Sequence, residues 1–302
     1  MGLFDFLKKK PTVSSEVIIA ADKEDETAKR QLHIAFEQGL TSDEHNALRK
    51  KAYYPLAVNG DANAQYWMGF LCLYCDKNPK EALYWYEKSA SQGDTESMRA
   101  LALGYSEYVN DPENSYAGCI GFGFDAQKER YWITKAAESG DYKAQVDLAL
   151  DYKIENNSEM AIRWYSKALQ STDCKVLVQA YKGMADIYGC MLDKNYYNPE
   201  KQKEYLIRIL EMKQNNVNDI GAYDEIAYSS AAFSLASLFF NEYKRTNDFS
   251  ILRKSVYCFS LSYISGNEFS KEYITNSGYK ISDIEWQTWV KHAKTLSFYL
   301  PN

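Results

Sequence analysis

A repeated pattern of small, aromatic and basic residues constrains the fold of this chain more than any other feature. The clearest copy reads Ala64-Gln65-x-x-Met68-Gly69 and then Ala82-x-x-Trp85-Tyr86-x-Lys88-Ser89-Ala90-x-x-Gly93-Asp94. Two more copies follow, and the best matches are the segments 62–94, 95–141 and 142–173. Self-similarity at such a spacing, with two helical halves in each unit, predicts an α-solenoid.

Each half of a unit predicts one amphipathic helix. In the first half, Ala64, Met68 and Cys72 recur at i, i+4 and i+8 and therefore share one helix face. The small Gly69 beside this face allows the second helix to approach closely. The second half has an apolar stripe of its own, formed by Ala82, Trp85, Tyr86 and Ala90. Because no single unit can bury its own apolar face, neighbouring units are expected to stack.

Glycine–aspartate pairs predict the turns between units. Gly93 and Gly140 follow second helices, where a left-handed residue commonly ends a helix. Asp94 and Asp141 come next, and each is placed to cap the following helix with its side-chain oxygen. Three tryptophans recur at equivalent second-helix positions and are predicted to pack in the core: Trp85, Trp132 and Trp164.

Weaker copies of the pattern extend the array in both directions. They predict about six repeats over residues 28–267. Residues 1–27 are predicted to be a short N-terminal helix followed by a flexible leader at 12–27. Residues 268–302 are predicted to cap the array with a helix that starts at Ser282-Asp283. The expected buried stripe of that helix is Ile284, Trp289, Ala293 and Leu296.

The three best copies, at 62–94, 95–141 and 142–173, match the pattern A-x-x-x-L-G-x-x-Y followed by K-A-x-x-W-Y-x-K-A-A-x-x-G. In these residues the chain resembles the Sel1-like repeats of the tetratricopeptide (TPR) superfamily. The resemblance covers most of the chain but not its two ends. It implies an all-α fold, namely a right-handed α-solenoid of antiparallel helix pairs, in a bacterial scaffold or adaptor, and the C-terminal capping helix predicted from residues 268–302 completes this fold. The chain departs from the family pattern at residues 107–126, where a long insertion replaces the usual G-x-G-V turn.

Composition and charge narrow the classes of partner. A chain of 302 residues with 46% hydrophobic content can bury a continuous core. The formal net charge of −6 disfavours nucleic acid, which selects basic grooves. No apolar run reaches the roughly 18 residues that a membrane-spanning helix needs. Residues 1–11 lack a signal-peptide core, and a weak contact with a membrane surface is the alternative to a docked or frayed starter helix.

No catalytic or cofactor site is predicted from the sequence. The six cysteines have no regular pair in each repeat, which indicates reduced thiols in a cytoplasm. Cys72 and Cys258 occupy core positions of their helices and are expected to be buried. His33, His45 and His292 show no metal-ligand spacing. The prediction is therefore a protein that is not an enzyme and that carries no cofactor and no metal.

The resemblance suggests where a partner would bind, because first helices line the concave face of tetratricopeptide solenoids. The predicted protein-binding positions on first helices are Tyr66, Phe70, Leu73, Tyr74, Arg99, Leu103, Glu107, Lys153, Lys182 and Asp186. Tyr66, Phe70 and Tyr74 follow helical spacing, so they form an exposed aromatic stripe if this register holds. The alternative is that these rings pack against the insertion at 107–126.

Two functions from different classes remain open. The first is a non-catalytic scaffold or adaptor that holds a protein partner on the solenoid surface. The second is an immunity-type inhibitor that neutralises a cognate toxin or effector by tight binding. The lack of recognisable chemistry supports both, and the sequence alone does not separate them.

Overall fold

The computed structural model describes residues 13–110, 121–215, 222–276 and 281–295. Within these ranges the chain forms sixteen helices and no strand. It divides into two compact units, Met1–Ala144 and Gln145–Asn302.

The first unit contains helices α1 to α8. They are α1 (Ser15–Asp22), α2 (Glu26–Glu37), α3 (Ser42–Val58), α4 (Ala62–Tyr74), α5 (Pro79–Ala90), α6 (Thr95–Tyr105), α7 (Glu107–Asn110) and α8 (Ala126–Glu138). Within this unit α3 packs on α4, α4 on α5, α5 on α6 and α6 on α8.

The second unit takes in most of α9 and all the helices that follow. They are α9 (Tyr142–Ile154), α10 (Ser158–Ala168), α11 (Cys174–Gly189), α12 (Pro199–Asn215), α13 (Ala222–Thr246), α14 (Phe249–Ile264), α15 (Phe269–Asn276) and α16 (Asp283–Thr295). Here α10 packs on α11, α11 on α12, α12 on α13 and α13 on α14. The predicted all-α solenoid of helix pairs is confirmed, whereas the division of residues 28–267 into about six repeats stays a prediction.

The turns between helix pairs have the predicted chemistry. Gly93 and Gly140 adopt φ angles of +92° and +93°, which a residue with a side chain rarely tolerates. After the turn, the Asp94 carboxylate accepts a hydrogen bond from the Ser97 backbone N–H at 2.6 Å. Asp141 does the same at the start of α9. In each glycine–aspartate pair, the glycine therefore ends one helix and the aspartate caps the next, as the sequence predicts.

The repeated apolar positions form the core. Ala64, Met68 and Cys72 of α4 are at most 2% exposed, which confirms the first-helix stripe. Trp85 and Trp164 are buried, while Trp132 is only half-buried. The second-helix positions Ala82, Tyr86 and Ala90 are also buried.

The predicted leader at 12–27 is not a flexible segment throughout, because it contains helix α1. This helix packs on α2 and α3 and buries Ile18. Asp22, its last residue, forms a two-point ion pair with Arg49 of α3, with both N···O distances at 3.0 Å. The Tyr53 hydroxyl donates to the same carboxylate. Long-range pairing thus orders a helix that is too short to be stable alone. Residues 1–12 of the predicted N-terminal segment lie outside the described residues.

The C-terminal cap begins where the sequence predicts it, but its buried face is different. The Ser282 hydroxyl accepts a hydrogen bond from the Glu285 N–H and starts α16, which packs on α14. Ile284 is 83% exposed, so its predicted place in the buried stripe is wrong. The buried residues are instead Trp286, Val290 and Ala293, with Trp289 half-buried. Leu296 lies outside the described residues.

Candidate protein-binding surfaces

The α4 aromatic row consists of Tyr66, Phe70 and Tyr74. All three rings are half-buried, not freely exposed as the stripe prediction requires. Phe70 and Tyr74 are in contact, with 4.7 Å between ring centroids, and Tyr66 meets Tyr86 of α5 at 6.0 Å. Burial raises the pKa of Tyr66 to about 12, and nearby carboxylates add to the shift. The rings of the α4 aromatic row are therefore fixed by contacts with neighbouring rings, and only part of each ring is exposed to solvent.

Sequence reasoning missed two residues that support the α4 aromatic row. Trp67 lies between Tyr66 and Phe70, with ring centroids 5.3 and 5.7 Å away. The Arg49 guanidinium lies 4.1 Å from the centroid of the Trp67 ring. A cation over an indole face at this distance is a favourable contact. In the sequence, Arg49 stands out as a single arginine on the otherwise apolar face of α3. It does not occupy a repeated position, so the repeat pattern does not predict its contact with Trp67.

Part of the 107–126 insertion packs on rings other than those of the α4 aromatic row. Phe122 contacts Tyr86 and Tyr105 at centroid distances of 6.4 and 5.5 Å. Its backbone N–H donates to the carbonyl of Gly104 at 2.7 Å. Residues 111–120 lie outside the described residues, so the predicted alternative, packing of the row against the insertion, stays a prediction for that segment.

The remaining first-unit positions differ in accessibility. Leu73 is only 4% exposed, so its assignment to the binding surface is wrong: it faces the core of the unit. Leu103 is 44% exposed and Glu107 is exposed at the start of α7. Arg99 is half-buried, with its Nε atom 3.9 Å from the Asp141 carboxylate that caps α9. Arg99 is therefore held at a helix start.

The second unit brings its three predicted binding residues together in one cavity, the α9/α11 pocket. Lys153 of α9 and Lys182 and Asp186 of α11 all line this cavity, whose volume is about 290 Å³. The Lys153 ammonium lies 2.7 Å from the Asp186 carboxylate and so joins the two helices. Both side chains are partly exposed, so this ion pair stabilises the unit by about 1 kcal/mol at most.

Apolar side chains supply most of the remaining pocket wall. They come from α9, α11 and the start of α13, and they are Val146, Leu150, Val178, Ile226 and Ala227. Tyr165 of α10 also lines the pocket, next to Gly183 of α11. A Cβ atom added at Gly183 would lie 2.2 Å from the Tyr165 ring, so only glycine permits this close approach. Burial and the carboxylates of Asp186 and Asp147 raise the pKa of the Tyr165 hydroxyl, which therefore stays protonated at neutral pH.

The sequence did not identify the other polar residues of the pocket, Asp147 and Gln179. Asp147 lies within two turns of Lys153 on α9, and Gln179 lies one turn before Lys182 on α11. The helical register could have added both of them. The contribution of α13 could not be found in this way, because it depends on how a third helix packs.

Among the described residues, no three His, Cys, Asp or Glu side chains cluster as metal ligands would. Cys72 and Cys258 are buried as predicted, and burial raises the pKa of the Cys72 thiol to about 12. Such a thiol stays protonated and is a poor nucleophile. No helix in the described part of the chain has the length and apolar character needed to cross a membrane.

Comparison with known proteins agrees with the repeat pattern. The family model of the Sel1 repeat matches residues 62–94, 130–141 and 143–173. Among curated proteins, no match to the chain is found.

Two solved structures share the fold at low sequence identity. A protective antigen of uropathogenic Escherichia coli strains, described as having an SLR fold, aligns with a TM-score of 0.54 and 20% identity over 91% of this chain and 54% of its own. The chain thus spans about half the length of that protein. A Sel1 repeat protein from Oxalobacter formigenes aligns with a TM-score of 0.52 and 19% identity over 96% of this chain and 100% of its own. The chain thus carries Sel1 repeats at residues 62–94, 130–141 and 143–173, and it shares its fold with these two solved structures.

Proposed function

We propose that the chain is a non-catalytic scaffold or adaptor that binds a protein partner through its first helices. Sel1 repeats generally mediate protein–protein interaction, which supports a protein as the partner. The observation that carries the proposal is the α9/α11 pocket, since three first-helix residues chosen from sequence register line one cavity with apolar walls. Such a concave site with a few polar groups is typical of a recognition surface.

Within this proposal the binding positions fall into two sets. In the second unit they are Lys153, Lys182 and Asp186. In the first unit they are Tyr66, Phe70, Tyr74, Arg99, Leu103 and Glu107, with Leu73 removed because it is buried. A bacterial protein working in the cytoplasm, where its cysteines stay reduced, completes the proposal.

Site-specific photo-crosslinking in the native cell tests this function. The photoreactive residue p-benzoylphenylalanine replaces Gln179, which lines the pocket, or Glu204, an exposed position on α12 that serves as the matched control. We expect one crosslinked protein from position 179 and none from position 204. Equal adducts from both positions, or adducts from 204 alone, would contradict binding at the pocket.

The identity of the captured protein separates the two functions that the sequence leaves open. A toxin domain crosslinked from position 179 would identify the chain as an immunity-type inhibitor. Any other single protein would identify an adaptor. Protection of cells that express the captured domain is the confirming measurement for the inhibitor.

A further inference from the structure

The α9/α11 pocket combines an accessible apolar surface with an uneven distribution of charge. Two of its apolar side chains, Leu150 and Ile226, are 42% and 67% exposed. Val146 and Val178 lie deeper and are almost fully buried. An apolar side chain that enters the pocket would therefore cover surface that now contacts water, and this burial favours binding.

Lys182 is a cation of the pocket that forms no ion pair within the described residues. The ion pair between Lys153 and Asp186 neutralises both groups. Lys182 lies one turn before Asp186 on α11 and is exposed. No hydrogen bond or ion pair joins Lys182 to any other residue in the described part of the chain. Helix α11 therefore offers an ammonium group to an anion, while helix α9 contributes the carboxylate of Asp147 to the same pocket.

We propose that the α9/α11 pocket binds a peptide segment of a protein partner in which an aliphatic side chain is followed by an acidic side chain. The aliphatic side chain packs against Leu150 and Ile226, and the acidic side chain accepts a hydrogen bond from the Lys182 ammonium. A backbone N–H of the same segment donates to Asp147, so a peptide matches both charged groups. The inference deepens the proposed function and rests on it.

The size of the pocket agrees with an occupant of this kind. Its volume of about 290 Å³ lies at the lower limit of sites for drug-sized ligands, which span roughly 300–1,000 Å³. This space holds one or two side chains with their backbone. A small anchor within a larger protein interface fits it better than a free metabolite.

Retention of peptide pools on the immobilised full chain tests the proposal. Four pools of hexapeptides, acetylated and amidated at their ends, have random flanks and a fixed central pair: Leu-Glu, Leu-Gln, Leu-Lys or Ser-Glu. We expect the Leu-Glu pool to be retained about three- to fivefold more than the Leu-Gln pool, as suits one partly exposed charged contact. The Leu-Lys and Ser-Glu pools should be retained least.

Two matched variants assign the effect to one side chain. Lys182→Gln should remove the preference for Leu-Glu over Leu-Gln, and Lys175→Gln, at an exposed position on the same helix, should keep it. Equal retention of the Leu-Glu, Leu-Gln and Leu-Lys pools would overturn the proposal, as would a preference that survives in Lys182→Gln. Crosslinking from position 179 without any pool preference would overturn this inference alone. No crosslink and no retained pool would overturn the proposed function as well.

Discussion

Single glycines decide how closely neighbouring helices pack in this protein. A Cβ atom at Gly69 would lie 2.7 Å from the Tyr86 ring, and one at Gly183 would lie 2.2 Å from the Tyr165 ring. Both glycines are in first helices, and both tyrosines occupy the position after the repeated tryptophan. The missing side chain is thus what lets a second-helix tyrosine lie against a first helix, which belongs to the same repeat for Tyr86 and to the following helix pair for Tyr165.

Gly183→Ala tests this close approach. Alanine favours a helix over glycine by about 1 kcal/mol, but here the added methyl group collides with a buried ring. We expect a net loss of about 1–3 kcal/mol in the free energy of unfolding, measured by urea titration. Gly189→Ala is the control, because the nearest neighbours of its Cβ would be atoms at the end of the flexible Gln202 side chain. Equal effects of the two substitutions would show that the Tyr165 contact is not the cause.

Trp164→Ala tests the repeated tryptophan as a core residue. The side chain is 6% exposed, and the Lys167 ammonium lies 3.9 Å from its ring centroid. Its removal should leave a cavity and cost about 3–5 kcal/mol in the free energy of unfolding. Arg163→Ala, at the exposed neighbouring position, should change stability by no more than about 0.5 kcal/mol. A Trp164→Ala melting temperature within a degree or two of the parent would contradict the packing role.

Whole elements were predictable from the sequence where the repeat itself defines them. The helix pairs and their glycine–aspartate turns follow from local periodicity, which also places Lys153, Lys182 and Asp186 on one accessible side of first helices. Helices outside the repeat, such as α1 and α16, bury the face that contacts a neighbouring helix, and local periodicity does not identify that neighbour. Leu73 could not be placed from periodicity either, because the row Tyr66-Phe70-Tyr74 and the core face both border it.

Helix α1 packs on α2 and α3, and one polar cluster around Asp22 adds to this contact. Asp22→Asn keeps the side-chain shape but leaves the Arg49 charge, which is almost fully buried, without its anion. We expect a loss of about 3 kcal/mol in the free energy of unfolding and faster hydrogen exchange in α1. Glu24→Gln is the control, since that carboxylate is exposed. Unchanged exchange in Asp22→Asn would contradict the ion pair with Arg49 as a stabilising contact of α1.

Helix α16 provides a test of register, because two sets of residues have nearly the same spacing. Trp286 is 1% exposed and contacts Tyr263 at 5.6 Å between ring centroids, whereas Ile284 points to solvent. Trp286→Ala should cost about 3–5 kcal/mol, and Ile284→Ala should be close to neutral. Thermal unfolding followed by circular dichroism measures both. The reverse order of effects would favour the register predicted from the sequence.

At the scale of the whole molecule, contacts concentrate within two compact units, Met1–Ala144 and Gln145–Asn302. In repeat proteins each repeat is stabilised mainly by its neighbouring repeats, so the free energy of unfolding is close to a sum of local contributions. A local change should therefore loosen nearby helices before distant ones. The repeat supplies two equivalent probes of this behaviour, since Trp85 lies in the first unit and Trp164 in the second, and both are buried.

Native-state hydrogen exchange of Trp85→Ala and Trp164→Ala measures how far such a change spreads. Trp85→Ala should lower protection in α4, α5 and α6 while α13 and α14 keep parental rates, because the lost contacts are local. Trp164→Ala should lower protection in α10 and α11 and leave α4 unchanged. A uniform loss over both units in either variant would mean that the chain unfolds as one cooperative body. Local loss would mean that a partner bound at the α9/α11 pocket chiefly stabilises the second unit. Ligand binding suppresses only those unfolding events that destroy the binding site.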